Sequence, residues 1–207
     1  MITHDLRTTS PRDSYRILTS LVIPRAIAWI STLQGNGAIN LAPFSSFMGI
    51  FGPPMVAVTL GRRRDGSLKD THRNLRERQE AVVHIPDRPL LEAMHACGEE
   101  LPADESEADR LGLEMVPSTL VAPPIIKRAK VSLECRLNRE VELSPSSTLV
   151  LLDVLLVHAQ EEIWNQSLDC ADAGLWEPVA RLASVAGPNY AGLGERLELP
   201  PPKLPTA

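Results

Sequence analysis

Aromatic residues, paired cysteines and long apolar runs are all scarce in this sequence of 207 residues. Aromatic side chains make up 4% of the chain, too few for a platform on which nucleic-acid bases stack, and a formal net charge of −5 provides no basic surface for phosphate backbones. The longest apolar run, Thr148 to Ala159, is interrupted by Asp153 and is shorter than the about 20 residues of a membrane helix. We therefore expect no nucleic-acid partner and no membrane span.

Signals for secretion and for metal binding are also missing. The N-terminal stretch MITHDLRTTS has no apolar segment after a basic start, so it does not have the pattern of a secretory signal. The three cysteines lie far apart, and an odd number argues against a disulfide framework. The five histidines show no HExxH motif and no paired spacing with cysteine. These features predict a cytoplasmic protein without a metal site.

What the sequence does contain is the composition of an ordinary globular protein. With 43% hydrophobic residues, a chain of this length can bury roughly 70% of the surface that its unfolded form exposes. No internal repeat and no linker divides the sequence. We therefore expect one domain over residues 1–207.

Short apolar runs separated by turn residues predict a mainly β fold. Gly35-Asn36-Gly37 is a hairpin turn between strands at Ala26–Ile30 and Ala38–Leu41. Further strands are predicted at residues 55–60, 81–85, 131–143, where apolar residues occupy the odd positions, and 149–163. Cys135 and His158 lie in these strands, and we interpret them as a packing residue and a hydrogen-bonded structural residue. Hairpin strands outnumber helices, which favours a closed or split antiparallel β-barrel with a few peripheral helices.

Helical signals are fewer. Asp70 or Thr71 can cap a helix that runs to about Arg78, with Leu75 facing inward. Other helices are predicted at residues 90–97 and 176–183, and the first 22 residues form either a short helix or an edge strand. The acidic run at residues 98–110 is interpreted as a solvated loop with a short helix and not as a binding site.

The loop GRRRDGSLKDT, at residues 61–71, concentrates cations between a strand and a predicted helix, where a phosphate group could bind. A nucleotide-binding P-loop is excluded by spacing, because Ser67 stands where the lysine should be and Leu68 where the serine or threonine should be. The Gly35-Asn36-Gly37 turn likewise lacks the third glycine of a dinucleotide fingerprint. A phosphomonoester site and a solvated basic loop are the two interpretations of residues 61–71.

Small polar side chains precede this loop. Ser31 and Thr32 end one predicted strand, and Asn40, Ser45 and Ser46 follow the next turn. Their hydroxyl and amide groups supply the donors and acceptors that a planar heterocycle with carbonyl and imide groups requires. For the last three residues, ordinary turn chemistry is the alternative.

Four blocks of the sequence, PRAIAWIST, NLAPFSSF, GRRRDGSLKDT and THRNL, together resemble the flavin reductase-like family of FMN-binding split-barrel proteins, which includes flavoredoxin-type electron carriers. The resemblance continues through VVHI, the strand at residues 149–163 and the segments GPNYAGLGE and LELPPP, so it covers nearly the whole chain. It implies a split antiparallel β-barrel of the FMN-binding type. It also implies a homodimer with FMN near the subunit interface.

The resemblance assigns site residues to FMN. The side chains that should line the ring and ribityl chain are those of Ser31, Thr32, Asn40, Ala42, Ser45 and Ser46, and those that should surround the phosphate are Arg63, Lys69, Asp70 and Thr71. The sequence departs from the family at three places. Ala26 replaces a common proline, His84 stands where an asparagine is usual, and Met48-Gly49 replaces a more polar segment. His84 and Met48 are expected near the ring edge.

The activity implied by the resemblance is that of an FMN-dependent oxidoreductase. NADH or NADPH would deliver hydride to the flavin, which would then reduce a second flavin, oxygen or a protein. Because the flavin carries this chemistry, we expect no essential acid, base or nucleophile among the side chains. The alternatives are a flavoredoxin-like electron carrier that reacts only with redox proteins, and an FMN- or heme-binding module without turnover. FMN as a tightly bound group and FMN as a passing substrate are both compatible with the sequence.

Overall fold

The computed structural model describes residues 1–102, 105–172, 174–183, 188–195, 197 and 199. Its helices and strands are, in chain order, α1 (Pro11–Leu21), β1 (Arg25–Ala26), β2 (Ala28–Leu33), β3 (Ile39–Phe44), β4 (Phe47–Phe51), β5 (Pro54–Gly61), α2 (Asp70–Arg78), β6 (Glu80–Ile85), α3 (Leu91–Ala96), α4 (Glu107–Arg110), β7 (Met115–Val116), β8 (Ile125–Ile126), β9 (Val131–Ser144), β10 (Ser147–Ala159), β11 (Trp164–Asn165), β12 (Cys170–Ala171), β13 (Ala180–Arg181) and β14 (Tyr190–Ala191). Short 3-10 turns lie at Arg88–Leu90 and Glu161–Ile163.

Seven strands form one antiparallel sheet in the order β3-β2-β6-β9-β10-β5-β4. Its two edge strands, β3 and β4, are consecutive in the chain and are separated by Ser45 and Ser46 alone. Two residues span at most about 10 Å from one strand to the next, so the sheet must curl until its edges approach each other. This geometry confirms the predicted split antiparallel barrel and the predicted hairpin between β2 and β3.

The inner face of the curled sheet holds the main core. Ile30 of β2, Val83 of β6, Cys135 of β9 and Val150 of β10 are fully or almost fully buried there. Helix α2 packs Leu75 into the same cluster, as the sequence predicts. The cap prediction is wrong by one residue or two, since Lys69 occupies the N-cap position without a side-chain cap bond. Asp70 and Thr71 instead form the first turn of the helix.

The outer face of β2, β6 and β9 carries a second layer. Trp29 and Leu41 pack there against Met94 of α3 and Ile126 of β8. Residues 114–130 cross this face, so the first half of β9 is covered on both sides. The predicted alternation of β9 is therefore wrong in two respects: the even residues Ser132 and Glu134 are fully buried, whereas the odd residue Leu143 is exposed at the open end of the strand.

Residues 176–183 are extended, so the predicted short helix is wrong. The amide of Val179 donates to the carbonyl of Pro86, and the amide of Arg88 donates to the carbonyl of Glu177. The backbone on either side of Pro178 pairs with residues 86–88, and these hydrogen bonds take the place of those of a helix. The segment ends in β13, which pairs with β1 and β14.

The N-terminal segment forms helix α1, which resolves the choice between a helix and an edge strand. The side chain of Ser10 accepts a hydrogen bond from the amide of Asp13, and Pro11 occupies the first helical position. None of the residues of α1 is buried. Among the described residues, no helix has the length and hydrophobicity needed to cross a bilayer.

Candidate functional site

Two adjoining cavities open at the end of the barrel next to α2. The larger is a groove of about 530 Å³ between α1, the end of β3, α3 and the strands β13 and β14. The smaller is a cleft of about 70 Å³ between β3, the start of α2 and residues 97–101. Both are lined by Pro43, Phe44, Gly98 and Glu99, so the cleft continues into the groove. The groove has the volume of a typical organic-ligand pocket, whereas the cleft has room for one small polar group.

Cations and the start of α2 surround the small cleft. Arg63 and Lys69 line it, and the first intrahelical bond of α2 is donated by the amide of Arg73 to the carbonyl of Lys69. The amides that precede Arg73 in the first turn are of the kind that can bind an anion. Arg63 and Arg73 both donate to the carboxylate of Asp70, which offsets its negative charge beside the cleft.

A buried hydrogen-bond network supports the wall of the cleft. The side-chain amide of Asn40 donates to the hydroxyl oxygens of Thr71, at 2.9 Å, and Thr32, at 3.1 Å. The side-chain amide of Asn74 donates to the same oxygen of Thr32 at 3.0 Å. Because the oxygen of Thr71 accepts from Asn40, its own hydroxyl proton is available for a ligand in the cleft. Thr32 and Asn74 do not line the cleft, and their hydrogen bonds fix the positions of Asn40 and Thr71, which do.

Asn74 is a residue that the sequence interpretation missed. It follows Thr71 by three positions and therefore shares its face of α2. That spacing is the signal from which its position could have been predicted.

The acidic run contains a short helix, α4, as predicted, but Glu107 at its start is buried and lines the cleft, so this residue is not solvated. Its carboxylate accepts a hydrogen bond of 2.8 Å from the amide of Leu41 on the edge strand β3. Burial raises the pKa of Glu107 above its usual range. The next residue, Ala108, packs into the hydrophobic cluster on the outer face of the sheet, which places Glu107 beside that cluster. Glu99 and Glu100 also line the cleft, so it carries carboxylates as well as cations.

The structure brings most of the predicted site residues together. Six of the ten line the small cleft, namely Asn40, Ala42, Arg63, Lys69, Asp70 and Thr71. Ser45 lines the larger groove, and Thr32 lies directly behind the cleft.

Two predicted residues lie elsewhere. Ser31 is buried on the outer face of the sheet, where its hydroxyl donates to the carbonyl of Pro124 at 2.8 Å. Successive strand residues point to opposite faces, so the side chains of Ser31 and Thr32 cannot both reach the cleft. Ser46 is exposed, lines neither cavity, and its carbonyl accepts from the amide of Thr59.

His84 and Met48, which are expected near the ring edge, line neither the groove nor the cleft. His84 is fully buried on the outer face, with Nδ1 2.9 Å from the carbonyl of Trp29 and Nε2 accepting from the amide of Ile126 at 3.0 Å. This arrangement requires the proton on Nδ1. Burial, only partly offset by the bond to Trp29, lowers the pKa of His84 to about 4. Met48 is exposed on the edge strand β4.

An open groove lined by polar and aromatic residues joins a smaller cleft that carries Arg63, Lys69 and the first turn of α2. A pair of cavities of this kind is compatible with a phosphorylated ligand that has a large organic part. The sequence matches the family described as "Flavin reductase like domain" over residues 20–170. The chain therefore belongs to the flavin reductase-like family, as its sequence motifs predict.

Known proteins are similar to this chain in sequence, and two solved structures share its fold. The uncharacterised protein YwrF of Bacillus subtilis is 35% identical over 92% of this chain and 94% of its own length. Nitrilotriacetate monooxygenase component B from Bacillus cereus is 33% identical, with a TM-score of 0.90 over 96% of this chain and 98% of that one. The 2-nitrobenzoate 2-nitroreductase of Pseudomonas fluorescens is 29% identical, with a TM-score of 0.88 over all of both chains.

Proposed function

We propose that this protein binds FMN and transfers electrons from NADH or NADPH to a second acceptor. The observation that carries the proposal is the junction of the two cavities, where Arg63, Lys69 and Thr71 surround a cleft that opens into a groove of about 530 Å³. A flavin mononucleotide has the matching parts, a phosphate at one end and a wide ring system at the other. The family membership and the oxidoreductases among the similar structures support this assignment.

The residues of the cleft fit a phosphate. Lys69 supplies a point charge, Arg63 supplies guanidinium N–H groups, and Thr71 supplies a hydroxyl proton. The amides of the first turn of α2 add the positive end of the helix dipole. The segment from Ala42 to Ser45 leads from this cleft into the groove, so its residues would lie along the ring.

When bound, the flavin supplies the hydride and electron chemistry. The tasks left to the chain are to hold the phosphate, to orient the ring and to leave room for an electron donor in the groove. Pro43 and Phe44 form an apolar part of the groove wall that limits the access of water.

The direct test is to purify the protein, record its visible absorbance, and titrate the flavin-free form with FMN. We expect a flavin spectrum or saturable binding of FMN. Anaerobic addition of NADH or NADPH should then bleach the flavin colour. A protein that binds FMN but keeps its colour with both donors is a carrier or a binding module, and a protein that binds no FMN contradicts the proposal.

We also propose that the protein is a homodimer. Apolar side chains are exposed on three strands of the sheet: Phe51 of β4 is 96% exposed, Leu143 of β9 57% and Val157 of β10 53%. Apolar residues of α1 are exposed as well, including Leu21. Subunit interfaces bury apolar side chains of this kind, and a second copy of the chain, related by twofold symmetry, would cover them.

Light scattering coupled to size-exclusion chromatography tests this assembly. We expect twice the mass of one chain for the native protein and a smaller mass for the variant Leu143→Lys. Glu142→Lys, one position away, is the matched control and should leave the mass unchanged. A monomeric native protein would contradict the homodimer.

A further inference from the structure

A third cavity, of about 300 Å³, lies on the outer face of the sheet, between the strands β9 and β10 and the covering segment of residues 114–130. We call it the outer pocket. Its volume is at the lower end of the range of small-molecule pockets. It shares no lining residue with the groove or with the small cleft. The outer pocket is therefore a separate candidate for ligand binding.

A buried hydroxyl group without a partner lines the outer pocket. Ser132 of β9 lies directly opposite His84 of β6 and His158 of β10, so the three side chains share the outer face. Ser132 is 1% exposed, and its hydroxyl oxygen bonds to none of the described residues. Both ring nitrogens of His84 are already engaged by the backbone. Because a buried hydroxyl without a partner is destabilising, we expect Ser132 to bind a group inside the pocket.

His158 supplies a second atom to the outer pocket. Its Nε2 lies 2.6 Å from the carboxylate of Glu134, which also accepts from the amides of Thr119, Leu120 and Val121. A carboxylate that accepts these bonds is ionised, so Nε2 carries the proton and donates it. In the neutral ring, the other nitrogen, Nδ1, is then a hydrogen-bond acceptor. Within the described part of the chain, Nδ1 of His158 makes no hydrogen bond.

The charges around the outer pocket are compensated. Lys127 is paired with Glu114 and Lys130 with Glu162, and the imidazole of His158 lies against its buried carboxylate. An anionic ligand would have to compete with these carboxylates for the same cations. An uncharged ligand would leave the pairs intact and would still meet the hydroxyl and the imidazole.

We propose that the outer pocket binds a small uncharged molecule with an amide group. The amide carbonyl accepts from the hydroxyl of Ser132, and the amide N–H donates to Nδ1 of His158. Directly opposite residues of neighbouring antiparallel strands have Cβ atoms about 4.5–5.5 Å apart, and the adjacent oxygen and nitrogen of one amide can bridge such a pair. The apolar side chains of Val116 and Ile125 also line the pocket and would contact the hydrocarbon part of the molecule.

Three probes of nearly equal shape test this pocket, namely cyclohexanecarboxamide, cyclohexyl methyl ketone and cyclohexanecarboxylate. The amide has a donor and an acceptor, the ketone has only the acceptor, and the carboxylate is charged. Calorimetric titration of the native protein should show that the amide binds about tenfold more tightly than either of the others, and tenfold corresponds to about 1.4 kcal/mol. In nitrogen NMR spectra of the histidine rings, the signal of His158 Nδ1 should shift with the amide and not with the ketone.

Ser132→Ala should weaken binding of the amide about tenfold. It should keep the native thermal stability, because the hydroxyl that it removes bonds to none of the described residues. Ser144→Ala is the matched control on the same strand. The hydroxyl of Ser144 lies 3.2 Å from that of Ser146, outside the pocket, and its removal should leave the affinity for the amide unchanged.

Binding of the ketone or the carboxylate at least as tight as that of the amide would overturn the proposal. Native amide affinity in Ser132→Ala, or no binding of the amide at all, would show that the pocket holds water only and would overturn it too. Added FMN should leave the affinity for the amide unchanged, whereas competition between the two would place the amide in the groove and contradict the proposal. A protein that binds no FMN contradicts the proposed function and does not affect this test.

Discussion

The two faces of the sheet at β2, β3, β6 and β9 bury polar side chains that have different kinds of hydrogen-bond partner. On the inner face, Thr32 and Asn40 bind other side chains of a network that borders the small cleft. On the outer face, Ser31, His84 and Glu134 bind the backbone of residues 119–126, which cover them. Ser31 and Thr32 are neighbours in sequence and yet belong to different sets of hydrogen bonds.

This difference shows how a buried polar residue can be assigned either a structural role or a role in ligand binding. When its partners are the amides and carbonyls of a covering segment, its role is to satisfy that backbone and fix its position. When its partners are side chains that also line a cavity, it positions groups for a ligand. The outer residues should therefore affect stability alone, and the inner residues should affect both stability and FMN binding.

The largest effect is expected from Glu134→Gln on the outer face. The buried carboxylate accepts from the amides of Thr119, Leu120 and Val121, and lies 2.6 Å from Nε2 of His158. An amide in its place would direct N–H groups at other donors, so we expect a loss of about 3–5 kcal/mol in the free energy of unfolding. Urea denaturation measures this loss.

The exposed residue Glu142 on the same strand provides the control, and Glu142→Gln should change the free energy of unfolding very little. The folded fraction of Glu134→Gln should bind FMN with native affinity. A clear loss of FMN affinity would contradict the claim that residues of the outer face affect stability alone.

Acid should destabilise the outer face through His84. An unfolded histidine takes up a proton near pH 6.5, whereas the pKa of buried His84 is about 4. Between these values the unfolded chain binds more protons than the folded chain, so stability falls as the pH drops from about 6.5 to about 4. The total loss is about 3 kcal/mol.

Urea denaturation across this pH range tests the role of His84. The variant His84→Asn cannot titrate there and should show a shallower pH dependence. His4→Gln, at the exposed N-terminus, should keep the native slope. Equal slopes for the native protein and His84→Asn would contradict the assignment.

An intermediate effect is expected from Thr32→Val on the inner face. The substitution removes the oxygen that accepts from Asn40 and Asn74, and we expect a loss of about 2 kcal/mol in the free energy of unfolding. FMN affinity should also fall, because Asn40 and Thr71 lose their support. Denaturation and FMN titration are measured on the same samples.

Ser31→Ala is the neighbouring control for Thr32→Val. It should cost about 1 kcal/mol of stability, because the carbonyl of Pro124 loses a donor, and it should leave FMN affinity unchanged. The comparison fails if the two variants reduce FMN affinity equally.

The smallest effect is expected from Lys69→Ala, which should leave the fold intact and weaken FMN binding about tenfold, or about 1.4 kcal/mol. Riboflavin, which has no phosphate, should bind equally well to the native protein and to this variant. Lys127→Ala changes a lysine outside the cleft, paired with Glu114, and should not alter FMN affinity. Unchanged FMN affinity in Lys69→Ala would contradict the phosphate assignment.

The small cleft was more predictable than the groove because most of its residues lie within one stretch from Asn40 to Thr71. Strand, turn and helix signals in that stretch place the residues near one another by local geometry. The groove draws on both ends of the chain, because Arg25, Arg181 and Tyr190 all line it, and no local signal relates these residues. The interpretation also failed at Trp176–Ala183, because the pairing of that segment with residues 86–88 is not encoded in its own pattern.

The sequence by itself determined the class of fold, the family, the strands and helix that border the cleft, and the residue types available to hold a phosphate, because these follow from short-range periodicity and from motifs. The tertiary structure alone decided which face of β2 meets the cleft, the burial of Glu107, Glu134 and His84, and the assembly of the groove from both ends of the chain. Those features depend on pairings between distant segments, and a strand's own pattern does not specify what will cover each of its faces.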